Sequence, residues 1–315
     1  MKNLKTIEKR LGKTIKMRKA IVSGEFYLSD KSGLNKQIES CFFNKFGPGS
    51  LPRAFNLKQK KIALISPHAG YQYSGPCAAH GYKAFMEVSK KDLAEIFIII
   101  GPNHSGYGKV PFALSFENFE TPLGLVKNDT ELGEKFIEEA SSFGVQKDEL
   151  AHKFEHSIEV QLPFLQFCYG LIKKDFKIVP LVIATGDYEK CIKVSRAIAN
   201  ALQEMEKEKK VCVIASSDFT HYGYGYGFVP FIENIKQNLY EWDKKSINYI
   251  LKLDSKGFYQ EAIKTTICGT APIIITIEIA KALGAKKASL LKYYTSGDLL
   301  NNYKNAVSYA SIVIE

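Results

Sequence analysis

Beyond about residue 60 the chain alternates short aliphatic runs with stretches whose apolar residues recur at helical spacing. Residues 61–67 (KIALISP) read as a buried strand, continuous and rich in aliphatic side chains. Ser74 then serves as a helix cap with Pro76 in the first turn, and Ala78, Ala79, Tyr82, Phe85 and Met86 face a sheet. Residues 95–101 (EIFIIIG) form a second strand, which completes a βαβ unit with two parallel, adjacent strands. Further strands are predicted at 111–116, 176–184, 211–217, 289–295 and 306–314. Helices are predicted at 129–142, 155–167, 188–207, 231–253, 255–265 and 271–283. Pro163 should bend or end the helix at 155–167, and Thr270 and Pro272 should cap and open the last one. Neither an internal repeat nor a linker is apparent. The pattern predicts an α/β fold, a three-layer sandwich with a largely parallel central sheet.

Composition narrows this reading. With 315 residues, 45% hydrophobic and 24% charged, the chain has ordinary globular composition. It lacks an apolar run of the ~18 to 20 residues that crosses a bilayer and a secretory leader, so a cytoplasmic protein is expected. Six scattered cysteines without a C-x-x-C pair argue against a disulfide framework or a zinc knuckle, and five of them should be small buried apolar residues. The net charge of +10 is concentrated: residues 1–20 carry +7 and the other 295 only +3. The whole chain holds four arginines, so it lacks the composition of a nucleic-acid binder. Residues 1–16 read as a basic, disordered extension, with a single domain over 17–315. Met17 opens a first strand and is itself an alternative start.

The chemistry gathers at strand ends. His68 follows the first strand, His104 the second, and Asp218 and His221 the strand at 211–217. Carboxyl ends of strands are where open α/β sheets bind ligands. Strands about 4.8 Å apart bring two imidazoles within reach of one ion. His80 and His152 read as surface or capping residues. Cys268, just before the helix at 271–283, should have a lowered thiol pKa from the helix dipole. It suits a metal ligand, a nucleophile or a packed loop residue. Glu155 and Glu159, on one helical face with His156 beside them, do not form H-E-x-x-H and alone read as a solvated face.

Taken in order, PHAGYQYSG (67–75), GPNHSG (101–106), EHSIEVQLPFL (155–165), SSDFTH (216–221) and TICGTAP (266–272), with SGEFYLSD (23–30), resemble the Memo family from about residue 18 onward. That family is similar in fold to the class III extradiol (LigB-like) dioxygenases, which bind non-haem Fe(II) with two histidines and a glutamate. The resemblance implies metal ligands at His68, His104 and Cys268. It implies pocket residues at Asp218, His221, Glu155 and His156, with Tyr71 and Tyr73 lining the pocket. It also implies partnership with an AMMECR1-type protein and a radical-SAM protein. A thiolate replaces the dioxygenases' carboxylate, so ring cleavage is not inherited with the fold.

Three functions follow. The first is a non-haem iron (Fe(2+)) or copper oxidoreductase or redox protein, with His221 as acid–base oriented by Asp218. The second is a non-catalytic module that binds a peptide or partner protein. The third is a Zn(2+) hydrolase on the same ligands. The substrate is a small molecule or a peptide, without nucleic acid or membrane.

Overall fold

The computed structural model describes residues 16–53, 62–205 and 209–315. The expected extension at 1–16 therefore lies, apart from Lys16, outside the described residues. In chain order the elements are β1 (Met17–Arg18), α1 (Lys31–Phe43), β2 (Ala63–Ser66), α2 (Tyr71–Met86), β3 (Ile96–Pro102), β4 (Phe112–Leu114), β5 (Asn118–Thr121) and β6 (Gly124–Asn128). Next come α3 (Thr130–Ala140), β7 (Val145–Lys147), α4 (Glu149–Lys153), α5 (Leu162–Leu171), β8 (Lys177–Ile183), α6 (Tyr188–Met205) and β9 (Val211–Ser216). The chain ends through β10 (His221–Gly223), α7 (Ile235–Leu251), α8 (Ser255–Ala262), α9 (Thr270–Ala282), β11 (Ala288–Thr295), α10 (Ser296–Leu300) and β12 (Asn305–Ile314).

The aliphatic runs make the centre of one sheet, in which β6, β8, β3, β9 and β2 lie side by side and parallel. Antiparallel β12 flanks β2 and in turn pairs with β10 and β11. At the other side β5 pairs antiparallel with β6, and β1 parallel with β5. Alternation along β3 shows why the runs had to be apolar throughout. Ile96, Ile98 and Ile100 pack beneath α3, α6 and α9, while Phe97 and Ile99 pack beneath α1, α2 and α5. Two helical layers enclose the sheet, as the pattern predicted.

Four expectations change. β2 and β3 are not adjacent, because β9 is inserted between them and pairs with both. A βαβ unit fixes parallel direction but not immediate neighbourhood, and the later strand took the middle place. The predicted helix at 155–167 is a helix only from Leu162. Glu155–Ile158 is a turn held by the Glu155 carboxylate, followed by a 3-10 turn at Glu159–Gln161. Ser74 is not a cap: α2 already starts at Tyr71 behind Gly70, and the Ser74 hydroxyl donates to the Ala69 carbonyl. Likewise Gly269, not Thr270, precedes the first turn of α9 as its cap. Helix α1, capped by the Asp30 side chain on the Gly33 N–H at 2.7 Å, and the β5–β6 hairpin had no counterpart in the sequence reading. Among the described residues no helix is long and apolar enough to cross a membrane.

Candidate metal centre

The carboxyl ends of β2, β3 and β9 open on the same side of the sheet, which places the loops after them in contact. His68 leaves β2 buried. Its backbone N–H donates to Asp218 Oδ1 at 2.8 Å, which ties the β2 loop to the β9 loop. Its Nδ1 lies 2.9 Å from Ser216 Oγ. The Ser216 hydroxyl already donates to the Ser157 carbonyl at 2.6 Å, so toward His68 it can only accept. The proton is thereby placed on Nδ1, and the Nε2 lone pair turns to the Cys268 sulfur, 3.3 Å away. Gln161 supports the arrangement from below. It accepts from the Tyr82 hydroxyl at 2.5 Å and donates to both Ser216 Oγ and the Pro67 carbonyl.

His104 is fixed by a different device with the same result. The Glu155 carboxylate accepts from the His104 and Ser105 backbone N–H groups and, at 3.1 Å, from His104 Nδ1. It also accepts the backbone N–H groups of His156 and Ser157. Burial pushes this carboxyl up, but the His104 imidazole and the amide nest outweigh burial and hold its pKa down to about 2. An ionised carboxylate behind Nδ1–H turns His104 Nε2 toward the Cys268 side, the usual outer support of a metal-binding histidine. Glu155 is therefore not a wall of the pocket, as expected from sequence, but a post beneath His104.

Ligand atoms of His68, His104 and Cys268 lie within 4.8 Å of one another. Donors about 2.0 to 2.3 Å from one tetrahedral ion sit about 3.3 to 3.6 Å apart, and the Cys268–His68 pair is already there. Two imidazoles whose Nε2 atoms face one thiol are a donor set that fits a transition-metal ion. Burial opposes a charge on His104, but its hydrogen bonds to Cys268 and Glu155 raise its pKa to about 10, so an ion binding there displaces a proton. Burial, with the neighbouring His104, His156 and His221, keeps the His68 pKa well below its usual value, so this ring is uncharged. The expected fall of the Cys268 thiol pKa is corrected. Burial pushes it up against the opposing His104, and the residue stands one position before the cap of α9.

A cleft of about 420 Å³ opens over the imidazoles, lined by His68, His104, His156, His221, Asp218 and Tyr73 among others. His156 stacks on His104 with centroids 4.7 Å apart, and the Phe26 ring edge stands against it at 4.9 Å. His221 Nδ1 lies 3.1 Å from the Thr266 carbonyl, which can only accept, so Nδ1 is the donor nitrogen. Thr266, not Asp218, therefore orients His221; Asp218 is spent on the His68 backbone. Tyr71 is also corrected. It is buried in the core with its hydroxyl donating to the Val160 carbonyl at 2.7 Å, because position 71 of α2 faces the sheet layer and Tyr73 faces the cleft. So is His152: it is buried, and its Nε2 donates to the Ala113 carbonyl at 2.8 Å. His80 is partly buried on α2 with its ring 3.0 Å from the Phe46 carbonyl, and five of the six cysteines are buried.

Sequence reasoning passed over Ser216, Gln161 and Thr266, although each lies inside a quoted motif. It also missed Arg18, which is buried in an ion pair with Glu159 and donates to the carbonyls of His152, Lys19 and Glu155. Glu159 in turn accepts the Ile21 and Val22 N–H groups and the Tyr27 hydroxyl, pinning the start of the described chain to the turn that carries Glu155.

The sequence profile of the Memo-like protein family matches residues 18–313. A MEMO1 family protein of Methanopyrus kandleri is 40% identical over 299 residues, covering 94% of this chain and 98% of that one. Relatives under the same description from Pyrococcus furiosus and Methanocaldococcus jannaschii are 39% and 40% identical, each covering 95% of this chain and 99% of theirs. Among solved structures, an uncharacterized protein from Escherichia coli K12 aligns with a TM-score of 0.51 and 13% identity. That alignment covers 81% of this chain and all of the other, a likeness of fold alone.

Proposed function

The chain belongs to the Memo-like protein family, and from that membership and the site geometry we propose that it is a redox-active metalloprotein. One ferrous or cuprous ion is held by His68 Nε2, His104 Nε2 and Cys268 Sγ. The observation that carries this reading is the matched pair of outer supports. Ser216 and Glu155 each engage an Nδ1 and turn both Nε2 atoms toward one sulfur. Structural histidines have no need of that arrangement, and His152, which donates from Nε2 to a carbonyl, lacks it.

A bound ferrous or cuprous ion supplies one-electron chemistry, and a thiolate ligand favours such soft or redox-active ions. The surrounding residues do the rest. His221, held by the Thr266 carbonyl, keeps Nε2 free to take a proton from a substrate in the cleft. Asp218 fixes the His68 loop, and Tyr73, Phe26 and Tyr226 make the walls against which a small organic substrate packs.

The test is metal content and an optical spectrum of protein purified anaerobically without chelator. One iron or copper per chain is expected, with affinity at least tenfold weaker in Cys268→Ser and in His68→Ala. Absence of a stoichiometric ion, or unchanged affinity in Cys268→Ser, refutes the proposal. Tight zinc with no redox response redirects it to hydrolysis, with His221 deprotonating a water.

A further inference from the structure

The candidate ligands face two different cavities. His68 and His104 line the cleft described above, whereas Cys268 lines a second one of about 790 Å³. Its walls come from the loop after β3 (Asn103, Tyr107, Lys109), the loop after β8 (Thr185), the first turn of α6 (Lys190) and the first turn of α9. We propose that this second cleft is a separate entrance to the site and receives the anionic end of a small substrate, a carboxylate or a phosphate ester. The proposal deepens the reading above and rests on it only for what Cys268 holds.

Charge separates the two entrances. Among the described residues the second cleft is lined by two lysines and no carboxylate, while the histidine cleft carries Asp218 and Glu25. Two acids bonded to those lysine residues are engaged. Asp148 accepts the backbone N–H of Lys109 at 2.6 Å and that of Leu150 at 3.1 Å. Asp187 accepts the Lys190 N–H and stands 3.9 Å from its ammonium. The Lys109 ammonium has no ion-pair partner among the described residues. Val110, Pro111, Ile183 and Pro272 complete the lining, so an apolar body fits between the cationic rim and the sulfur. An anion at the histidine cleft faces Glu25 and the buried Asp218 beside the imidazoles, whereas one entering here meets Lys109 and Lys190 with no carboxylate in the lining. The His221 side is thereby left for proton exchange.

The test measures access to the thiol and uses chelator-treated, metal-free protein. Anionic iodoacetate and neutral iodoacetamide both alkylate a thiolate with loss of iodide, so the ratio of their rates at Cys268 cancels the ionised fraction. Peptide mass spectrometry follows Cys268, and the five buried cysteines serve as internal controls. At low salt the iodoacetate to iodoacetamide ratio should exceed that of a free cysteine peptide by about three- to tenfold, and it should fall as salt screens the lysines. Lys109→Glu/Lys190→Glu, two exposed positions, should bring the ratio to or below that of the peptide while circular dichroism stays unchanged. A ratio equal to the peptide's in the wild type, indifference to the double charge reversal, or failure of Cys268 to react at all overturns the proposal. Loss of the bound ion from the proposed function leaves this measurement untouched, so the two fail separately.

Discussion

Ser216→Ala removes a single oxygen and tests whether the outer supports position the site. That oxygen accepts from His68 Nδ1 and from Gln161 Nε2 and donates to the Ser157 carbonyl. Its loss leaves three polar groups without that partner at a fully buried position. Each unmet group costs about 1 to 3 kcal/mol, and Gln161 keeps its bond to Pro67, so the low end of about 3 kcal/mol in total is the expected destabilisation. The His68 ring also loses the acceptor that selects its tautomer, which should weaken metal binding by about 10- to 100-fold. Urea denaturation of the metal-free protein measures the first effect, and competition against a chromophoric chelator the second. If stability moves by less than about 0.5 kcal/mol and affinity by less than about twofold, the polar relay is incidental and the tautomer argument is wrong.

Three other outcomes are expected. Arg18→Ala leaves the buried Glu159 carboxylate without its counter-ion, and urea denaturation should register a loss of about 3 to 5 kcal/mol; a loss under 1 would show that the pair is solvated. Gly269→Ala would put a Cβ 2.3 Å from that of Ser217 and 2.9 Å from the Ser216 carbonyl oxygen. The loop carrying Cys268 must therefore shift, with about 1 to 3 kcal/mol of destabilisation and weaker metal binding. For pH, burial holds the His152 pKa down at about 4 against an ordinary 6.5, with Nδ1 buried and without a partner among the described residues. Between those values the unfolded chain binds the extra proton, so stability is full above 6.5 and falls toward 4. The contribution is about 2 kcal/mol by pH 5. It should vanish from the pH dependence of denaturation in His152→Gln, and an unchanged profile there would contradict the assignment.

How legible the molecule was depends on the kind of interaction. β3 and β9 announced themselves because a strand covered on both faces must be aliphatic at every position. Helices α6 and α9 followed from amphipathic or wholly apolar periodicity. The segment 155–161 misled because its residues have ordinary helix spacing. Its turn is stabilised by the Glu155 carboxylate closing on amides from two loops, a partner set that no local pattern encodes. Tyr71 and Tyr73 look equivalent in PHAGYQYSG, and only the orientation of α2 over the sheet sends one to the core and the other to the cleft.

Chain chemistry alone determined the α/β class and the parallel strands whose ends carry His68, His104 and Asp218; Cys268 was left open between ligand, nucleophile and packed residue until the family resemblance pointed to it. Those follow from periodicity and from residue types at strand ends, which are local properties. The tertiary structure decided the insertion of β9 between β2 and β3, the partner of each Nδ1 on three imidazoles, and the division of His68, His104 and Cys268 between two clefts. Each of those depends on atoms distant in sequence, such as Ser216 near His68 or Thr266 against His221. A tautomer or a cleft is set by what the fold brings within about 3 Å, and the order of residues along the chain does not specify that distance.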